Sequence, residues 1–118
     1  MIRLEFPFCP PSVNTYYRRG QNTTYLTKKG KEFKNNMLNH LLGVLKYKEQ
    51  PFENRLKVSI ELNFKEKRKR DVDNYNKAIL DSFNSIIWKD DEQIDELTTK
   101  KSYGNKENKI VITICENL

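Results

Sequence analysis

Ten residues, Arg55 to Phe64, restrict the fold more than any others. In RLKVSIELNF, Leu56, Val58, Ile60, Leu62 and Phe64 alternate strictly with polar residues. Side chains on a strand point to opposite faces with a period of two, so this run has one apolar face and one wet face. A strand of that kind needs a covering layer on one side only. The chain has 118 residues, enough for one core, and a single domain over residues 1–118 is expected.

Flanking patterns supply the partners. Residues 2–8, IRLEFPF, alternate Leu4, Phe6 and Phe8 with Arg3, Glu5 and Pro7 and predict a first strand that Pro7 ends or confines to a sheet edge. Residues 9–27 read as a loop, because Pro10-Pro11 and Gly20 exclude a long helix. Phe33, Met37, Leu41, Val44 and Leu45 recur at helical spacing and predict a helix from a Thr27 cap to about Lys46, with Gln50-Pro51 closing the region. The pattern turns helical again from about Val72 to Ile87. Tyr75, Ile79, Phe83 and Ile86-Ile87 form its buried stripe, and Asp73 is its natural N-cap. Trp88 to Glu92 reads as a polar turn. Ile94 to about Tyr103 and Lys109 to Cys115 predict two strands joined as a hairpin through Gly104-Asn105. The fold class is α+β, in the order β-α-β-α-β-β, with a mixed, largely antiparallel sheet and two helices packed on one face.

Charge narrows the partners. Lys and Arg number 22 against 16 Asp and Glu, a net charge of +6, which favours a polyanion such as nucleic acid. Lys65, Lys67, Arg68, Lys69 and Arg70 form one run, suited to backbone phosphate. Arg18 and Arg19 sit among tyrosines in the 9–27 loop, where two readings stand. Either Tyr16 or Tyr17 stacks on bases while the arginines meet phosphates, or the tyrosines pack on the core. Cys9 and Cys115 are too few for a disulfide framework and too far apart in sequence for a zinc cluster. The first residues lack the apolar run of a secretion signal, and no segment reaches the roughly 20 apolar residues of a membrane span. A cytoplasmic protein with reduced thiols and no membrane partner is expected. His40, the lone histidine, falls in the apolar-periodic part of a helix and is expected to pack rather than catalyse.

The basic run ends on two carboxylates one residue apart, Asp71 and Asp73, and a second pair, Asp90-Asp91, follows the next helix. Mg²⁺ takes oxygen ligands, commonly a few carboxylates with water and substrate phosphate. Asp71, Asp73 and Asp91 are suitable ligands, and their mutual repulsion would favour a cation. Beside a phosphate-gathering run this suits metal-assisted phosphodiester hydrolysis, with Lys77 as a point charge in support. Asp91 must fold back to reach the others, which an antiparallel strand after residue 91 would allow. A plainer reading also stands. D-x-D alone is a weak motif, Asp73 caps a helix, Lys77 pairs with Asp73 or Asp81, and Asp90 and Asp91 are turn residues.

Most of the chain resembles the RusA-type Holliday junction resolvases, small endodeoxyribonucleases of bacteria and their phages. The resemblance is carried by PPSVNTYYR at 10–18, TKKGKEFKNN from Thr27, KRKRDVDNYNKAILDSF at 67–83 and WKDDEQI at 88–94. It implies that Asp71, Asp73 and Asp91 form an acidic site for Mg²⁺, and that Lys77 is the lysine following D-x-D-N. It also implies a homodimer that makes paired nicks in a four-way DNA junction. Val72 stands where the family pattern has leucine, and residues 18–25 and 103–108 depart most. Two symmetric cuts match a two-fold dimer with one acidic site per subunit. Lys67, Arg68, Lys69 and Arg70, with Arg18 and Arg19, are the expected DNA contacts. Three other functions fit the residues: a catalytically silent binder of branched DNA, a nuclease acting on flaps, other branched nucleic acids or RNA, or an interaction protein whose charge is only solubilising.

Overall fold

The alternating run folds as an interior strand of a four-stranded sheet. The computed structural model describes residues 1–21, 23–44 and 51–118. Its main sheet contains β1 (Ile2–Phe6), β4 (Leu56–Asn63), β5 (Ile94–Ser102) and β6 (Lys109–Glu116), in the spatial order β1-β6-β4-β5. β6 runs antiparallel to both β1 and β4, whereas β5 lies parallel to β4. The registers align buried apolar rows across three strands. Leu4, Ile112 and Ile60 form one row, and Phe6, Ile110 and Leu62 the next. Phe33, Met37 and Leu41 of α2 (Lys28–Val44) and Ala78, Ile79 and Phe83 of α3 (Asn76–Phe83) join these rows in one core. The α+β class and the helix-covered face follow from the period-two and period-3.6 patterns.

Strand pairing corrects the expected hairpin. β5 and β6 are consecutive in sequence, yet β4 lies between them. The reason is burial. β6 contributes Ile110, Val111, Ile112 and Ile114 to the interior, while β5 is largely exposed and even Leu97 keeps 38% of its surface open. The apolar strand therefore takes the centre and the polar one the edge. The strand after residue 91 is thus parallel to β4, not antiparallel. Parallel neighbours need a crossover, and residues 64–93 supply it. The β4–β5 register shifts between Leu56 and Lys57, which face Ile94 and Glu96 and leave Asp95 as an extra residue.

The 9–27 segment is more ordered than a loop. It holds α1 (Val13–Tyr16) and a small antiparallel pair, β2 (Tyr17–Gly20) with β3 (Thr23–Leu26). Thr27 caps α2 as expected. Its Oγ1 accepts the Gly30 N–H at 3.0 Å and donates to the Thr15 carbonyl, tying α1 to the helix start. Gly30 is required there, since a Cβ would lie 2.5 Å from the Tyr16 carbonyl oxygen. The expected helix end near Lys46, with Leu45 and Gln50, lies outside the described residues.

The expected 72–87 helix is two pieces. Val72–Tyr75 form a 3₁₀ turn and α3 runs only to Phe83. Asp73 is inside the 3₁₀ turn, not its N-cap; Asp71 occupies that position without a side-chain capping bond. The chain reverses at Ser85, whose φ is +68°. That reversal swings Trp88 into the core, fully buried 5.3 Å from the Phe83 ring, with its Nε1 donating to Asn84 Oδ1 at 2.7 Å. Trp88 is therefore a core anchor rather than part of a polar turn. His40 packs against Phe6 with centroids 5.0 Å apart. Cys9 and Cys115 are free. No helix among the described residues is long and apolar enough to cross a membrane.

Candidate acidic site and nucleic-acid interface

The second acidic pair divides its work. Asp90 flanks a 3₁₀ turn, Asp91–Gln93, and its carboxylate accepts the Glu92 N–H at 3.1 Å. Gln93 answers by accepting the backbone N–H groups of Asp90 at 3.0 Å and Lys89 at 2.9 Å. Its amide nitrogen donates to the carbonyls of Phe52 and Asn54. Arg55 clamps the same turn from outside, bonding the Glu92 carboxylate at 3.0 Å and Asp95 at 2.5 Å. Asp90 is thus the turn's cap, and Asp91 is left to present its carboxyl group.

Asp91 is half-buried beside other acids. Burial pushes its carboxyl above the ordinary range, reinforced by a hydrogen bond with the Asp90 carboxyl and the charges of Asp90 and Asp81, while Lys77 opposes. Lys77 pairs with Asp81 at 3.0 Å, one helical turn on, and not with Asp73. The Tyr17 hydroxyl donates to the other Asp81 oxygen. Burial and that bond raise the Tyr17 pKa far above its usual value. Tyr17, Lys77, Asp81, Asp90 and Asp91 therefore form one cluster.

Asp71 and Asp73 are carried on the adjoining 3₁₀ turn, both exposed. No ion pair among the described residues engages either. Asn76, just after the turn, accepts a hydrogen bond from Thr99 of β5 at 2.8 Å, which pins the start of α3 to the sheet. Among the described residues no three His, Cys, Asp or Glu side chains close on one point tightly enough to hold a metal unaided. Asp91 lies in the field of Asp90, Asp81 and Lys77, while Asp71 and Asp73 share the 3₁₀ turn that leads into α3.

The expected cations remain at the surface. Lys67, Arg68 and Lys69 are exposed on the loop between β4 and the first 3₁₀ turn, and Arg18 and Arg19 are exposed on β2. Arg70 is the ordered member. Its guanidinium carbon lies 4.0 Å over the Phe64 ring, its Nη1 donates to the Glu66 carbonyl at 2.9 Å, and its own carbonyl accepts from Lys101 Nζ. The tyrosine question resolves toward packing. Tyr16 is fully buried, and half-buried Tyr17 packs edge-on against it at 4.6 Å with its hydroxyl bonded to Asp81. Burial and then Asp81 push the Tyr16 hydroxyl up to about 12. Sequence reasoning left Asp81 as one possible partner of Lys77 and missed Tyr17 in this cluster. The i,i+4 spacing signalled the first; no local pattern signals the second.

A phosphate-ready loop running into a carboxylate-rich turn is the layout of a protein that handles a nucleic-acid backbone. The family comparison agrees: residues 7–115 match the family described as Endodeoxyribonuclease RusA, and the chain belongs to it. Similar proteins are the crossover junction endodeoxyribonucleases RusA of Enterobacteria phage 82, 29% identical, and of Escherichia coli strain K12, 28% identical. Each alignment covers 91% of this chain and 88% of the relative. The enzyme of that name from Enterobacteria phage HK97 is 30% identical over 108 residues.

Proposed function

We propose that this protein is a Mg²⁺-dependent endonuclease that resolves four-way DNA junctions by paired nicks, acting as a homodimer. The observation that carries the reading is the division between Asp90 and Asp91. One carboxylate caps the turn, and the other is half-buried, so that burial first and its acidic neighbours second disfavour its bare anion. Such a group gains from a cation. Exposed Asp71 and Asp73 supply further hard oxygen donors, the type Mg²⁺ prefers. Mg²⁺ typically takes one or two carboxylates plus water and substrate phosphate, so a closed three-carboxylate cage in the free protein is not required. Asp71, Asp73 and Asp91 are the residues assigned to hold it. When bound, the ion supplies a polarised water and neutralises charge on the phosphate.

The remaining roles fall to the chain itself. Lys77, held by its ion pair with Asp81, offers a fixed positive charge to the reacting phosphate. Lys67, Arg68, Lys69 and Arg70 gather backbone phosphate, with Arg18 and Arg19 extending that surface. Two acidic sites related by a dimer axis match the two cuts a junction needs. The named relatives, crossover junction endodeoxyribonucleases, support the substrate. The test is cleavage of a synthetic four-way junction with Mg²⁺ by wild type, Asp71→Asn, Asp73→Asn and Asp91→Asn. Each substitution is expected to reduce the rate by roughly 100-fold or more. Binding without cleavage by wild type would leave a branched-DNA binder, and equal cleavage by all four would remove the site assignment.

A further inference from the structure

Beside the acidic site lies a cleft whose aromatic wall the mechanism above does not use, although it shares Arg68 and Arg70 with the phosphate-gathering loop. It opens between the Pro10-Pro11 corner, the first turns of α2 and the basic loop, with a volume of about 460 Å³. That is within the range of roughly 300–1,000 Å³ seen for ligand sites. Its walls combine two kinds of surface. Phe8 and Tyr75, both half-buried, line it, and Phe8 is braced edge-on by Phe33 at 5.8 Å. Lys29, Arg68 and Arg70 bring three cations, against the single carboxylate of Glu32 on the lining. Arg70 is set in advance, since its stack on Phe64 and its bond to Glu66 fix the guanidinium plane.

Aromatic or guanidinium planes beside free cations match one chemical class, a nucleotide with its base unstacked and its phosphate attached. The cleft also sits where such a nucleotide matters. Arg70 immediately precedes Asp71, and Tyr75 ends the same 3₁₀ turn that carries Asp73. We infer that this cleft seats one unstacked nucleotide of the strand to be cut, base against Tyr75 and Phe8 and phosphate on Arg68 and Arg70. It thereby distinguishes an opened crossing from plain duplex. A paired, stacked base cannot enter it, and unstacking costs least where pairing is already interrupted. The inference rests on the junction-resolving reading above.

The test separates the two. Four-way junctions with a fixed crossing are made with one base at a time removed, at each position within about three nucleotides of the crossing. Binding is measured by fluorescence anisotropy in EDTA, so that no cleavage intervenes. Wild type is expected to show one position per cut strand where losing the base weakens binding about fivefold or more. In Tyr75→Leu that penalty falls below about twofold, and Tyr75→Phe retains it. Arg68→Gln, at an exposed position that does not threaten folding, is expected to weaken junction binding more than duplex binding. Absence of any sensitive position, or an equal penalty in wild type and Tyr75→Leu, overturns the cleft's role while junction binding stands. An equal effect of Arg68→Gln on both DNAs overturns it likewise. A wild type that does not prefer junction over duplex overturns both readings together.

Discussion

Lys77 and Asp81 form an ion pair of 3.0 Å along α3, and Asp81 is the more buried partner, with 13% of its side chain exposed against 51% for Lys77. Tyr17 occupies the second oxygen of the same carboxylate. The ammonium is thereby held on one side of the helix, within the field of Asp90 and Asp91. Its pKa is raised chiefly by the bond to Asp81. On the proposed reading Lys77 faces the phosphate, and Asp81 holds it in place.

Asp81→Asn should therefore move the pH dependence of cleavage. Without the carboxylate, the Lys77 pKa falls back toward its ordinary value, and the alkaline limb of the rate profile shifts to lower pH. At neutral pH Lys77 is protonated with or without Asp81, so any loss of rate there reports its placement rather than its charge. An unchanged alkaline limb in Asp81→Asn would show that the ion pair is structural only.

Asp91 gives a stability prediction with a definite sign. Its folded-state pKa lies above its unfolded one, so its stabilising contribution is present below the ordinary carboxylate value and is lost as pH rises through the raised value. At neutral pH and without metal, Asp91→Asn should stabilise the fold by roughly 0.5 kcal/mol in urea unfolding. The difference should close as pH is lowered toward the ordinary carboxylate value. A variant less stable than wild type at neutral pH would contradict this balance.

Salt dependence reads the basic loop. Replacing Lys67, Arg68 and Lys69 together by Gln should flatten the plot of log affinity against log salt by about 0.9 for each phosphate the variant no longer neutralises. The three are exposed, so thermal unfolding should be nearly unchanged. An unaltered slope would place the DNA elsewhere on the surface.

Gln93→Leu tests the turn beneath the acids. The glutamine is buried and serves two carbonyls and two N–H groups. Leucine keeps the volume but leaves those groups unpaired, at an expected cost of about 2 kcal/mol. Cleavage should fall even at temperatures where the variant is fully folded, because Asp91 loses its mount.

How much of this was readable depends on length scale. β4 and α2 announce themselves because their apolar residues repeat over several periods. α1, β2 and β3 have four residues each, too few for a period to show. The end of α3 is not legible locally, because Ile86 and Ile87 continue an apolar rhythm past a backbone reversal at Ser85. The placement of β4 between β5 and β6 is a long-range competition for burial, which no local pattern records. The acidic residues were visible in chain order. The bond from Tyr17 to Asp81 was not, since it joins segments 64 residues apart.

Asp95, the extra residue at the start of β5, acts as a spacer between the sheet and the turn that bears Asp91. Strand side chains alternate faces, so removing one residue there would rotate everything before it by half a pleat. A shortened chain could keep its core and its whole complement of acids, yet aim Asp91 away from α3. In this protein, counting backbone units between the sheet and that turn matters as much as which side chains they carry.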